Sequence, residues 1–319
     1  MCTTSQDFNS LEKRHELHRQ KKQQQRINSQ TLSRELHRQK NLNKLHEVNT
    51  RIPLLDCYYS TVHNSLMCTH TGGYYSCIVQ TINSIVKLLS NNIVPKNISF
   101  CKTHFKYKNQ YNYDNYMLLY RYNSDYSVTH YTSQPCFLLD SNASYVDLNF
   151  NFYTNILNTY FQPSNIVIEN INKLLAKYNI IPKHTIAVLH RGTDKWLECQ
   201  LADVDSWCLQ LDRIIVKNPL HKIILQTDCE HTRDYILHKY SDKCIYFDEM
   251  LFSKVKSEPV TPTFNKLKWC VDYDSITRII STCDHILTHS GNTSAMSILY
   301  RGSVKNVVQL LSNGVFQEF

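Results

Sequence analysis

Apolar residues in the second half of the chain fall into short unbroken runs separated by helical stripes. Thr185-Ile186-Ala187-Val188-Leu189, Lys222 to Gln226, Lys243 to Phe247 and His285 to Thr288 are runs of strand length. Without polar alternation, such runs predict strands covered on both faces. The stretches from about Asp205 to Val216, Thr232 to Tyr240 and Asp274 to Thr282 predict helices between them, and another runs through Met296 and Leu299 after the turn Ser290-Gly291-Asn292. Strands alternating with helices imply a parallel sheet that meets ligands at its strand C-terminal edge. In the first half, His63 to Cys68 predicts a strand and Thr69-His70-Thr71-Gly72-Gly73 a turn. Ile78, Ile82, Ile85, Val86 and Leu89 then mark one buried helix face. Residues 100–160, dense in Tyr, Asn and Phe, are expected to form short strands and loops, and Ser164 to cap a helix ending near Tyr178.

These segments predict an α/β fold with three parts: an arm over 1–51, an N-terminal α/β domain over 52–180 and a Rossmann-like domain over 181–319. Charge sharpens the first boundary. Residues 1–51 hold eleven Lys or Arg against five Asp or Glu, most of the chain's net +8. The arm repeats Glu16-Leu17-His18-Arg19-Gln20-Lys21 as Glu35-Leu36-His37-Arg38-Gln39-Lys40 but keeps no apolar heptad. It is open to two readings, a solvated, partly helical extension or a contact for a polyanion or membrane surface. The folded body carries little net charge.

Twelve cysteines include no CxxC pair, and the N-terminus has neither a cationic start nor an apolar core. No apolar run approaches the roughly 18 residues that cross a bilayer. The expectation is a cytoplasmic protein with reduced cysteines and no transmembrane segment. No HxH, HExxH, Walker or GxSxG spacing occurs, so neither a zinc site nor any other bound metal or cofactor is expected.

Candidate chemistry concentrates after the first strand of the second domain, in Leu189-His190-Arg191-Gly192-Thr193-Asp194-Lys195. Arginine grips a phosphate through two parallel hydrogen bonds, and lysine adds a compact positive charge. Gly192 allows close backbone approach, and Asp194 is placed to hold either Arg191 or Lys195. On spacing alone, a surface loop with an ion pair is equally compatible.

Val188 to Lys195 resembles the arginine motif of the superfamily of core α1,6-fucosyltransferases, nodulation fucosyltransferases and protein O-fucosyltransferases. Ile224-Leu225-Gln226-Thr227-Asp228 is similar to its second motif, and Cys283 to Asn292 to its third. Proteins of large DNA viruses also carry segments similar to Gly72-Gly73-Tyr74-Tyr75-Ser76-Cys77 and Arg191 to Lys195, which implies a viral protein acting in host cytoplasm. The resemblance covers about residues 185–302. It implies a GT-B fold of two Rossmann-like domains, with 52–180 on the acceptor side and 181–319 binding the nucleotide sugar. It further implies inverting, metal-independent transfer from GDP-fucose to a glycan or protein hydroxyl. Arg191 would then contact the donor pyrophosphate with Lys195, and Glu198 would be the base. Gly72, Gly73, Asp194, Asp228, Asp274, Ser290, Gly291 and Asn292 would complete the donor site. Gly192 stands where the α1,6 branch has a second arginine, and Cys229 where a second Asp is expected. With the short stretch after Arg301, these departures keep a rival open, a catalytically inactive GT-B-like binding protein. A nucleic-acid-binding protein acting through the arm is the third possibility.

Overall fold

A computed structural model describes residues 51–54, 56–100, 115–123, 138–253, 262 and 265–319. The arm, apart from Arg51, lies outside them, as do 101–114 and 124–137. Pro53–Tyr59 and His63–Phe319 form one compact unit.

The fold is mixed α/β. Its first half holds a four-stranded sheet of β1 (Arg51–Leu54), β2 (Cys57–Ser60), β3 (Ser65–Cys68) and β4 (Asn97–Phe100), in that order. Strands β3 and β4 are parallel. They are joined through helix α1 (Tyr74–Leu89), which buries Ile78, Ile82, Ile85, Val86 and Leu89. Helix α2 (Asn115–Leu119), β5 (Tyr120–Arg121), α3 (Phe150–Tyr160), β6 (Gln162–Pro163) and α4 (Asn165–Lys177) follow. Helix α3 departs from the expected strands and loops. Phe152, Tyr153, Ile156, Leu157 and Tyr160 are buried at helical steps, and the Asn149 side chain caps the start by accepting from Phe152 N–H at 3.1 Å. Asparagine and aromatic residues are indifferent helix formers, so burial and not propensity makes this helix.

The second half is a six-stranded sheet of β7 (Thr185–His190), β8 (Lys222–Thr227), β9 (Cys244–Tyr246), β10 (His285–His289), β11 (Val307–Leu310) and β12 (Phe316–Glu318). Its order is β12-β11-β10-β7-β8-β9, and every neighbouring pair is parallel except β11 with β12. The helices are α5 (Val204–Lys217), α6 (Glu230–Lys239), α7 (Lys266–Thr282) and α8 (Asn292–Arg301). Ile186, Val188, Ile223 and Leu225 pack on Trp207 and Leu211 of α5, on one face. Ala187, Leu189 and Ile224 face the other way, against Ile276 and Ile280 of α7 and Ile298 of α8. This double burial explains the unbroken apolar runs. Helix α7 begins two turns earlier than its stripe predicted. Strands β11 and β12 were not foreseen, because four or three residues at a sheet edge leave little periodicity. Among the described residues no helix is long and apolar enough to cross a membrane.

The order fixes where a ligand fits. From β7 the chain builds outward through β8 and β9, then returns to lay β10 on the opposite side of β7. Connections leaving β7 and β10 therefore diverge, and the crevice between their C-terminal ends is the topological switch point of the sheet.

Candidate functional site

A cavity of about 350 Å³ opens at that switch point. Leu189, His190 and Arg191 enter it from the end of β7, Gln226, Thr227 and Asp228 from β8, and His289 from β10. Two helix starts meet it as well: Gly72 to Ser76 at α1, and Asn292 with Thr293 at α8. The first N–H groups of a helix have no intrahelical partner and carry partial positive charge. Met250, Leu251, Trp269 and Tyr273 supply an apolar and aromatic wall.

Among the described residues Arg191 is the cation that lines this cavity, about one-third exposed. Its Nη2 donates to Asp194 Oδ1 at 2.7 Å, and its Nε lies 3.4 Å from Asp228 Oδ2. Burial pulls the guanidinium's pKa down, but the two carboxylates more than offset that, so it stays charged. Asp228 does more than pair with Arg191. It accepts from Gly192 N–H at 2.8 Å and Thr193 Oγ1 at 2.7 Å, so the end of β8 braces the whole loop after β7. A Cβ on Gly192 would stand 2.7 Å from His190 Cε1, which leaves no room there for a second arginine.

Lys195 and Glu198 sit on one side. The ammonium of Lys195 is almost fully buried and does not line the cavity. It donates to Glu198 Oε2 at 2.5 Å and Asn142 Oδ1 at 3.2 Å. Glu198 lines the cavity with its carboxyl half exposed. Removal of either partner leaves the other charge uncompensated, a large cost for the buried lysine.

The loop after β10 is held from behind. Tyr145 donates its hydroxyl to the carbonyls of His289 and Gly291, at 3.1 and 3.3 Å, and accepts from Gly291 N–H at 3.2 Å. Ser290 Oγ donates to the Leu310 carbonyl and accepts from Gln309 Nε2. Ser290 and Gly291 therefore spend their polar groups inside the protein, and it is Asn292 and Thr293 that reach the cavity. Asp274 lies farther off. Its carboxylate is fully buried, accepting from Tyr75, Tyr120 and Tyr300 hydroxyls at 3.1, 3.0 and 3.3 Å and from Arg278 Nε at 2.8 Å.

The structure thus brings Gly72, Gly73, Arg191, Asp194, Glu198, Asp228 and Asn292 into one lining. It leaves Lys195, Ser290, Gly291 and Asp274 outside that lining. Sequence reasoning placed His190 and His289 within its motifs but gave neither a role, and they end β7 and β10 at the cavity. Burial lowers His190 to about 4, despite the nearby Asp228, and lowers His289 to about 3. Both are neutral near pH 7. A histidine closing each strand beside a switch point was the available signal. Among the described residues no group of three or more His, Cys, Asp or Glu is arranged to hold a metal ion.

No protein family matches the chain, and no curated protein does. Solved structures do. It is similar to the NodZ alpha-1,6-fucosyltransferase co-crystallized with GDP (14% identity, 51% of this chain and 50% of that chain, TM-score 0.36). It is also similar to the same enzyme soaked with GDP-fucose (12% identity, 53% of each chain, TM-score 0.38). A third is fucosyltransferase NodZ from Bradyrhizobium (12% identity, 51% and 50%, TM-score 0.32). The chain spans about half the length of the structures it matches.

Proposed function

We propose that the chain is a nucleotide-sugar-dependent glycosyltransferase with a GT-B-like division of labour. In this reading residues 52–180 face the acceptor and 181–319 hold the donor. GDP-fucose is the favoured donor and a glycan or protein hydroxyl the acceptor. The observation that carries the reading is Arg191, a charged guanidinium at the switch point of a parallel sheet, in a cavity shared with two helix starts. This combination suits a diphosphate: charge-assisted bonds from the guanidinium, and free N–H groups at Asn292 and Thr293. Arginine carries five N–H donors, so bonds to Asp194 and Asp228 leave donors for phosphate oxygens.

In the proposed reaction an acceptor hydroxyl attacks the anomeric carbon while the bond from that carbon to the phosphate oxygen breaks. The leaving GDP keeps the electron pair, and Arg191 meets the charge that grows on it. The hydroxyl proton goes to Glu198, the carboxylate at the cavity's side. Lys195 acts indirectly here, holding Glu198 in place from beneath. No step calls for a metal. Thermal-shift titrations with GDP, UDP and CDP, with and without EDTA, test the donor. GDP is expected to give the largest shift, unchanged by chelator, and a larger UDP shift or loss of the GDP shift in EDTA would refute the reading.

One observation favours the rival, a catalytically silent binding protein. The Glu198 carboxylate, the base of the proposed reaction, is engaged by Lys195. Glu198→Gln separates the two. An enzyme keeps its GDP affinity and loses sugar transfer, whereas a silent protein has no transfer to lose.

A further inference from the structure

The cavity's charged features account for a diphosphate, but its floor is uncharged and needs a different ligand chemistry. His289 is 95% buried, at 5% exposure, yet it lines the cavity. Its Nδ1 lies 3.1 Å from the Leu189 carbonyl. A carbonyl only accepts, so Nδ1 carries the hydrogen, and in a neutral imidazole Nε2 is then a bare lone pair. No hydrogen-bond partner is present for Nε2 among the described residues, although Nδ1 is fully engaged. Its location is fixed by Gly291, where a Cβ would stand 3.2 Å from His289 Nε2 and 3.6 Å from Lys195 Nζ. The imidazole edge is therefore close to the Lys195–Glu198 pair, one strand over from Arg191.

His190 ends the neighbouring strand. The parallel register pairs Leu189 with Thr288, so the next pair along is His190 with His289. Its Nδ1 is bonded to Thr227 Oγ1 at 2.9 Å, and it too lines the cavity. Two neutral rings thus floor a cavity whose cation is Arg191.

An outward lone pair disfavours an anion and favours an O–H. We propose that His289 Nε2, with His190 beside it, is a specificity-determining acceptor for a hydroxyl of the donor sugar, between the diphosphate at Arg191 and the base Glu198. This rests on the nucleotide-sugar reading. In that geometry the sugar spans the distance from phosphate to base, and the strand-end imidazole is the group it crosses. Hydrogen-bond acceptors of this kind discriminate strongly between sugars that present a hydroxyl there and those that do not.

Two substitutions isolate the lone pair. His289→Asn retains an N–H toward the Leu189 carbonyl but is too short to present an acceptor where Nε2 stands. His289→Gln reaches the Nε2 position with its Oε1 while giving up the Leu189 bond. Calorimetry with GDP, GDP-fucose and GDP-mannose on the intact chain reads the effect as the ratio of GDP-sugar to GDP dissociation constants. The expected result is a ratio raised about tenfold in His289→Asn for at least one sugar, with GDP affinity held, and restored to within about threefold in His289→Gln. An unchanged ratio in His289→Asn overturns the proposal, as does an equal fall in GDP and GDP-sugar affinity. A parent protein that binds none of the three ligands refutes the nucleotide-sugar reading itself, and this assignment falls with it.

Discussion

Both ends of the six-stranded sheet carry histidines, and the two ends treat them in opposite ways. At the C-terminal end, His190 and His289 are buried and neutral, facing a cavity with a charged arginine. At the N-terminal end, His221 bonds Asp284 at 2.9 Å, and His285 lies 3.5 Å from the same carboxylate. Asn218 bonds the His285 ring, and His184 packs edge-on against His221. There the polar groups close on one another. Helix starts point at the first end, supplying unpartnered N–H groups, and helix ends arrive at the second. A parallel sheet makes this asymmetry unavoidable, and it confines ligand chemistry to one edge.

The sharpest difference in stability is expected between Asp228 and Asp284, each a carboxylate at one sheet edge. Asp228→Ala strips partners from Gly192 N–H, Thr193 and Arg191 together, and is expected to cost about 3 kcal/mol. Asp284 is one-third exposed, and water replaces it for its partners. Asp284→Ala is expected to cost about 1 kcal/mol. Urea unfolding of both variants measures the pair, and equal costs would remove the distinction between a braced loop and a solvated cluster.

A second contrast separates the two histidine pairs by pH. Unfolded histidine titrates near 6.5, whereas His190 and His289 in the folded protein titrate near 4 and 3. The unfolded chain therefore binds more protons below pH 6.5, and stability is full above that value. It is lost as the pH falls, by about 2 kcal/mol for each imidazole between pH 7 and 5. Burial lowers His285 in the same direction, though that ring is less enclosed. Burial raises the Asp284 carboxyl, but the His221 hydrogen bond and the charges of His285 and His221 bring it below its ordinary value. Its contribution is present above the unfolded carboxylate pKa and disappears only below about pH 4. Urea midpoints from pH 7 to 5 should fall in the parent and fall less in His289→Gln, while Asp284→Asn follows the parent's slope.

Much of this asymmetry was legible in the sequence. The unbroken runs at Thr185, Lys222 and His285 gave the central strands, because burial on both faces removes polar residues altogether. The same physics hid other elements. Helix α3 relies on tertiary burial of Tyr160 and Phe152 within an Asn-rich segment, and β11 with β12 is too short for any period. At the site, Arg191 and Asp228 stand out because strand-end charges are uncommon in a buried sheet. The roles of Ser290 and Gly291 were not legible, since only the fold shows Tyr145 and Gln309 closing on them from distant positions. Lys195 misled for a similar reason: whether a lysine faces solvent, a ligand or the underside of a glutamate depends on the turn that carries it.

Arg191 is the residue on which the proposed donor binding at the switch point depends most directly. Calorimetric titration of GDP into the parent and into Arg191→Ala, at matched thermal stability, measures whether the switch-point cavity takes the diphosphate. Loss of a bidentate charge-assisted contact is expected to weaken GDP binding at least a hundredfold, about 3 kcal/mol, and Arg191→Lys should recover little of it because an ammonium lacks the planar fork. Arg191→Ala binding GDP as tightly as the parent would contradict the account, because the cavity's one arginine or lysine among the described residues would then have no part in holding the ligand.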